Sequence, residues 1–130
     1  MNHTWIVAAV LLTGCLTENK DVHALGLVLL AQVGIDDFER AAFIALDDDG
    51  CLQLIEWPWT HGFRRTEWKG PLPPNVVGII HTHPKHIPLP SADDIRTATR
   101  LKIPVIALTP RSLCAAAATG DIRCAAMPQK

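Results

Sequence analysis

The chain has 130 residues, enough for one domain that buries its own core without help from a metal or a disulfide. A net charge of −1 and a pI of about 6.6 exclude the basic footprint of a nucleic-acid binder, or of a protein held by charge to an anionic membrane. Four cysteines without a Cys-x-x-Cys pair argue against a cysteine zinc site.

The chain begins with an apolar run, Trp5-Ile6-Val7-Ala8-Ala9-Val10-Leu11-Leu12, which has signal-peptide length and is too short to span a bilayer as a helix. It runs into Leu12-Thr13-Gly14-Cys15, which resembles the lipobox of bacterial lipoproteins. That resemblance implies a leader and tether over 1–19, export, and a lipid anchor at Cys15. The leader carries His3 but no Lys or Arg, so a cytoplasmic protein with an apolar first strand is the alternative. Residues 20–130 then form the domain.

Val22 to Val33 is rich in Leu and Ala and predicts a buried helix, stopped by Gly34 and Asp36-Asp37. Two apolar runs, Ala41–Leu46 and Cys51–Trp57, flank Asp47-Asp48-Asp49-Gly50 and predict a hairpin. The Asp run reads as a turn, because the other ligands of a helix-loop-helix calcium site are missing. Residues 58–75 are loop-like, with Pro71, Pro73 and Pro74 close together. Trp57, Trp59 and Trp68 read as packing at a sheet edge, and Arg64-Arg65 as a solvated loop.

Val76–Ile80 is short, continuous and β-branched, the signature of a strand buried on both faces. Pro84, Pro88 and Pro90 forbid regular structure just beyond it. A helix is expected from Ser91, with Ile95, Ala98 and Leu101 on one face and Asp93 and Asp94 in the first turn, where the helix dipole favours them. Val105–Leu108 reads as a second buried strand, and a last hairpin turns at Ala118-Thr119-Gly120-Asp121. Cys114 and Cys124 flank that turn. They would be the disulfide of an exported protein, or two small buried residues on neighbouring strands. The pattern is mixed α/β, with strands outnumbering helices.

The chemistry concentrates in Gly78-Ile79-Ile80-His81-Thr82-His83-Pro84-Lys85-His86-Ile87-Pro88-Leu89-Pro90-Ser91-Ala92-Asp93-Asp94. Residues two apart in an extended chain point to one side, so His81 and His83 can converge at the mouth of a buried strand. Ser91-x-x-Asp94 is close to a capping box, which by itself would only satisfy helix N-terminal donors. The same placement fixes Asp94 on a rigid element that the proline loop folds back toward the histidines. Two imidazoles and one carboxylate suit zinc and leave a fourth position open, as in catalytic rather than structural sites. His86 reads as a loop residue, because a fourth protein ligand would close such a site. His23 and His61 have no usable spacing.

His81-x-His83-Pro84, seven residues, then Ser91-x-x-Asp94 resembles the His-x-His-x7-Ser-x-x-Asp signature of the JAMM (MPN-type) metallopeptidases. The resemblance covers roughly residues 22–110. It implies a compact α/β fold, a curved mixed sheet flanked by helices with an architecture like that of cytidine deaminases. It also implies one Zn²⁺ held by His81, His83 and Asp94, with Glu39 as general base and Ser91 as oxyanion donor. The family places its glutamate between an early helix and a strand. That position favours Glu39 over Glu56. The implied activity is hydrolysis of a peptide or isopeptide bond. Family substrates include ubiquitin-like conjugates and sulfur-carrier proteins, and some members lacking the ligands are scaffolds. A metal-binding or scaffold protein of the same fold is the alternative reading.

Overall fold

The computed structural model describes residue 26 and residues 40–57, 71–83 and 87–127. Among them are six strands and one complete helix: β1 (Ala41–Leu46), β2 (Leu52–Glu56), β3 (Val76–Thr82), α1 (Ala92–Leu101), β4 (Val105–Leu108), β5 (Ser112–Ala116) and β6 (Ile122–Ala126). The strands form one open mixed sheet in the order β2-β1-β3-β4-β5-β6. Every neighbouring pair is antiparallel except β3 and β4, which run parallel and are joined through α1. A parallel pair needs such a crossover, whereas β1–β2, β4–β5 and β5–β6 are joined by short turns; β1 and β3 pair with β2 between them in the chain. The α/β class expected from the sequence is the observed one.

The turns of the β1–β2 and β5–β6 hairpins use the same device. Gly50 N–H donates to the Asp47 carbonyl at 3.0 Å, and Gly120 N–H to the Ala117 carbonyl at 2.8 Å. The two glycines hold φ of 80° and 93°, a left-handed region that a side chain would oppose. This is the compact turn plus glycine bulge that matches the twist of paired strands. Asp47 adds its side chain: Oδ1 accepts from the Asp49 and Cys51 amides, both at 2.9 Å. The acidic run is therefore turn chemistry, as its sequence suggested.

Strand alternation divides the core into two layers. Ala42, Ile44, Ile80, Ile106, Leu108 and Leu113 cluster on one face with Met127. Phe43, Ile79, Val105 and Ala116 cluster on the other with Ala98 of α1. On the first face Gly26, which is helical and buried, lies so close to Leu108 and Met127 that an added Cβ would meet them at 3.2 and 3.3 Å. The rest of the predicted Val22–Val33 helix lies outside the described residues. Trp57 packs at the sheet edge, its ring centroid 5.2 Å from that of Phe43. Trp59, Trp68, His61, His86 and Cys15 also lie outside the described residues, as does the whole of 1–19. No helix among the described residues is long and apolar enough to cross a membrane.

Cys114 and Cys124 occupy directly opposed positions on β5 and β6 and are joined by a disulfide. None of the described cysteines is free.

Candidate metal centre

β3 lies inside the sheet, flanked by β1 and β4, and its C-terminal end carries His81. The sequence predicts a strand ending at Ile80, where hydrophobicity ends, but pairing continues to Thr82. His81 is opposite Ala41 on one side and Ala107 on the other, and Thr82 is opposite Leu108. The Thr82 amide donates to the Arg40 carbonyl and the His83 amide to the Leu108 carbonyl, both at 2.8 Å. The main chain is therefore tied on both sides as far as His83. Its position at the carboxyl end of a parallel pair, with α1 leading away, is where open α/β sheets bind ligands.

His81 shares the sheet face of Ile79, which is the face covered by α1. The helix brings Asp94 to meet it. Ser91 is the N-cap, in extended conformation, and closes a full capping box: its hydroxyl accepts from the Asp94 amide at 3.1 Å, and its amide donates to Asp94 Oδ2 at 2.8 Å. The two bonds satisfy orphan donors and fix the Asp94 rotamer. Asp94 Oδ1 then lies 3.1 Å from His81 Nε2, and Oδ2 lies 3.6 Å from His83 Nε2. The imidazoles sit edge to face with centroids 4.5 Å apart.

A further contact orients His83. Its Nδ1 lies 3.0 Å from the Ile87 carbonyl, which can only accept, so Nδ1 carries the proton and Nε2 is turned toward Asp94 with its lone pair available when the ring is neutral. Burial, followed by the charge of His81, lowers the His83 pKa below 6.5, against the upward pull of the Ile87 carbonyl and Asp94. Burial pushes Asp94 upward, but the hydrogen bond and charge of His81, with Ser91, prevail and bring it down to about 2. At neutral pH the site favours a neutral His83 and an ionised Asp94, the forms in which each donates electrons to a cation.

One donor atom from each of His81, His83 and Asp94 falls within 4.8 Å of the others, so the three could hold a metal ion. Two borderline nitrogens and one hard oxygen fit zinc and leave room for non-protein ligands. Of the other residues singled out by sequence, Ser91 is beside Asp94 as described, and Glu39 lies outside the described residues. Its rival, Glu56, pairs through Oε1 with Arg40 Nη2 at 3.1 Å. Sequence reading missed two contacts. The Ile87 carbonyl has no signal, because any residue supplies a carbonyl. The hydroxyl of Thr82, which accepts from the Arg40 amide at 2.9 Å, is visible as a residue between the histidines, but its partner is 42 positions away.

An α/β sheet with a His-His-Asp cluster at the carboxyl end of a central strand defines a class of domain suited to holding a divalent ion. Residues 13–125 match the model of the prokaryotic homologues of the JAB domain, and the chain belongs to that family. No curated protein matches it.

Proposed function

We propose that the protein is a zinc-dependent peptidase or isopeptidase that hydrolyses an amide bond of a polypeptide substrate. The observation that carries this reading is the convergence of His81, His83 and Asp94, with donor atoms within 4.8 Å, inside a chain of the JAB family. In this reading those three residues hold one Zn²⁺. When bound, zinc supplies Lewis-acid polarisation of a carbonyl and acidification of a water.

The remaining work belongs to the chain's own side chains. Glu39 takes a proton from the attacking water and hands it to the leaving amine. Ser91 accepts from the Asp94 amide through its oxygen, which leaves its hydroxyl proton to be donated to a developing oxyanion. The lowered pKa of His83 keeps its ring neutral and ready to ligate at the pH where Glu39 must be ionised to act as a base. A substrate in an oxidising compartment fits the Cys114–Cys124 disulfide, which supports export of the protein.

The test separates metal from chemistry. Elemental analysis of the purified protein should give zinc near one per chain, and the double substitution His81→Ala, His83→Ala should remove it. Glu39→Gln should keep the zinc and abolish new N-termini produced from a bacterial peptide mixture, read by mass spectrometry. Zinc-loaded wild-type protein that generates no such termini would favour the metal-binding or scaffold alternative. Undiminished cleavage by Glu39→Gln would remove Glu39 from its role.

A further inference from the structure

Thr82 lies between the two histidines on the opposite face of β3 from them, and it is 5% exposed. Its hydroxyl accepts from the Arg40 amide at 2.9 Å, and its own amide donates to the Arg40 carbonyl at 2.8 Å. Both polar groups of one main-chain residue are thus held by one threonine. The Arg40 guanidinium adds a third tie through Glu56 of β2, at 3.1 Å. The run Glu56–Arg40–Thr82 therefore links the edge strand, the start of β1 and the exit of β3 at the level of the candidate ligands. On the other side, the next amide, that of His83, is held by the Leu108 carbonyl of β4.

A strand end frays unless something holds it. Arg40 stands one position beyond the Ala41–His81 pair, opposite Thr82, where regular antiparallel pairing would bond its amide to the Thr82 carbonyl. The Thr82 hydroxyl accepts from that amide instead. Valine would fill the same volume, but the part-buried Arg40 N–H would lose the hydroxyl that accepts from it, and the strand exit would loosen. His81 and His83 stand on either side of the residue that would move. Metal sites depend on such outer contacts because ligand orientation, not only identity, sets affinity.

We infer that Thr82 is a positioning residue: its hydroxyl latches residue 40 to the exit of β3 and so holds His81 and His83 in the arrangement that takes a divalent cation. The latch also fixes residue 40, the neighbour of the proposed base Glu39. This inference rests on the reading of His81, His83 and Asp94 as metal ligands.

Zinc affinity, measured by competition with a chromophoric chelator on the full chain, tests it without a substrate. Thr82→Val should weaken zinc binding about tenfold, and Thr82→Ser, which restores the hydroxyl, should return affinity to about the wild-type value. The visible spectrum of the cobalt-substituted protein should change in Thr82→Val and not in Thr82→Ser, a signature that loss of stability alone would not produce. Should Thr82→Val not fold, the wild type carries the test: coupling is reciprocal, so zinc should slow amide hydrogen exchange at Arg40. Wild-type protein that loads zinc while Thr82→Val binds it equally well, or whose Arg40 exchange ignores zinc, overturns the latch alone. Wild-type protein that takes no zinc overturns the metal site and the latch together.

Discussion

Asp94 Oδ2 accepts from the Ser91 amide while Oδ1 faces His81 Nε2, so one carboxylate caps a helix and serves the candidate metal centre. Both roles were legible in Ser91-x-x-Asp94, because a cap is local and its spacing is fixed by the helix. The convergence with His81 was legible only as parity along a strand plus a resemblance to the JAMM signature. The Thr82–Arg40 latch and the Ile87 carbonyl were not legible, since nothing in composition points to a main-chain partner. The two roles of Asp94 should separate by substitution. Asp94→Asn keeps an oxygen for the cap and loses the charge; Asp94→Ala loses both. Both variants should fail to retain zinc, and Asp94→Ala alone should lose about 1 kcal/mol more in urea unfolding of the metal-free protein. The pH dependence has a definite sign. With its pKa brought from 3.8 to about 2 in the fold, Asp94 contributes stability that is present above 3.8 and lost as the pH falls toward about 2. His83, lowered from 6.5, acts in the same direction at higher pH, because the unfolded chain takes up its proton first. The urea midpoint of the metal-free wild type should fall from neutral pH toward pH about 3, and Asp94→Asn should flatten the fall in the acid part of that window. An equal slope in both proteins would remove Asp94 as its source.

Elements were read best where turn chemistry brackets a hydrophobic run. Asp49-Gly50 and Gly120-Asp121 located the β1–β2 and β5–β6 hairpins, and Pro104 separated α1 from β4, because these residues act on their own φ angles. Strand ends were read less well. Hydropathy stops at Ile80, whereas main-chain pairing with β1 and β4 carries β3 through Thr82, and hydrogen bonds between distant strands leave no local trace. The sequence leaves Cys114 and Cys124 open between a disulfide and two packed thiols for a related reason. A turn between them implies that they can be opposed but does not fix the register. The register is Cys114 opposite Cys124, and the bond joins them. It ties edge strand β6 to β5, and every residue of β6 is exposed, so little apolar burial holds that strand by itself. With a sequence separation of 10 between the cysteines, chain entropy alone gives about 2–3 kcal/mol. Cys124→Ala under oxidising conditions should lower the unfolding free energy by about that amount in urea titration. A change below about 0.5 kcal/mol would mean that the hairpin holds its register without the bond.

The whole molecule places the two sources of ligand on different units: the histidines on the exit of β3, inside the sheet, and the carboxylate on the start of α1, which packs on one face through Ala98. Sheet order could not be read from the sequence, because nothing local dictates that β1 inserts between β2 and β3. That insertion is what places Arg40 beside Thr82. A cation bound across the strand exit and the helix start would tie the crossover closed at its open end. The unfolded chain offers no such preformed site, so binding free energy should appear as folding stability. With free zinc at a hundredfold excess over its Kd, the gain is about 2.7 kcal/mol, which for a domain of this size raises Tm by on the order of 10 °C. A chelator should reverse the rise, and the His81→Ala, His83→Ala variant should show none. The rise should persist at pH 6.5, because His83 is held below its ordinary value, and should shrink as lower pH lets protons compete for the ring. Calorimetry of the metal-free and zinc-loaded chain checks all three. An equal rise in the double variant would mean that zinc stabilises the protein from elsewhere on its surface, and the assignment of this cluster as the metal centre would fall with it.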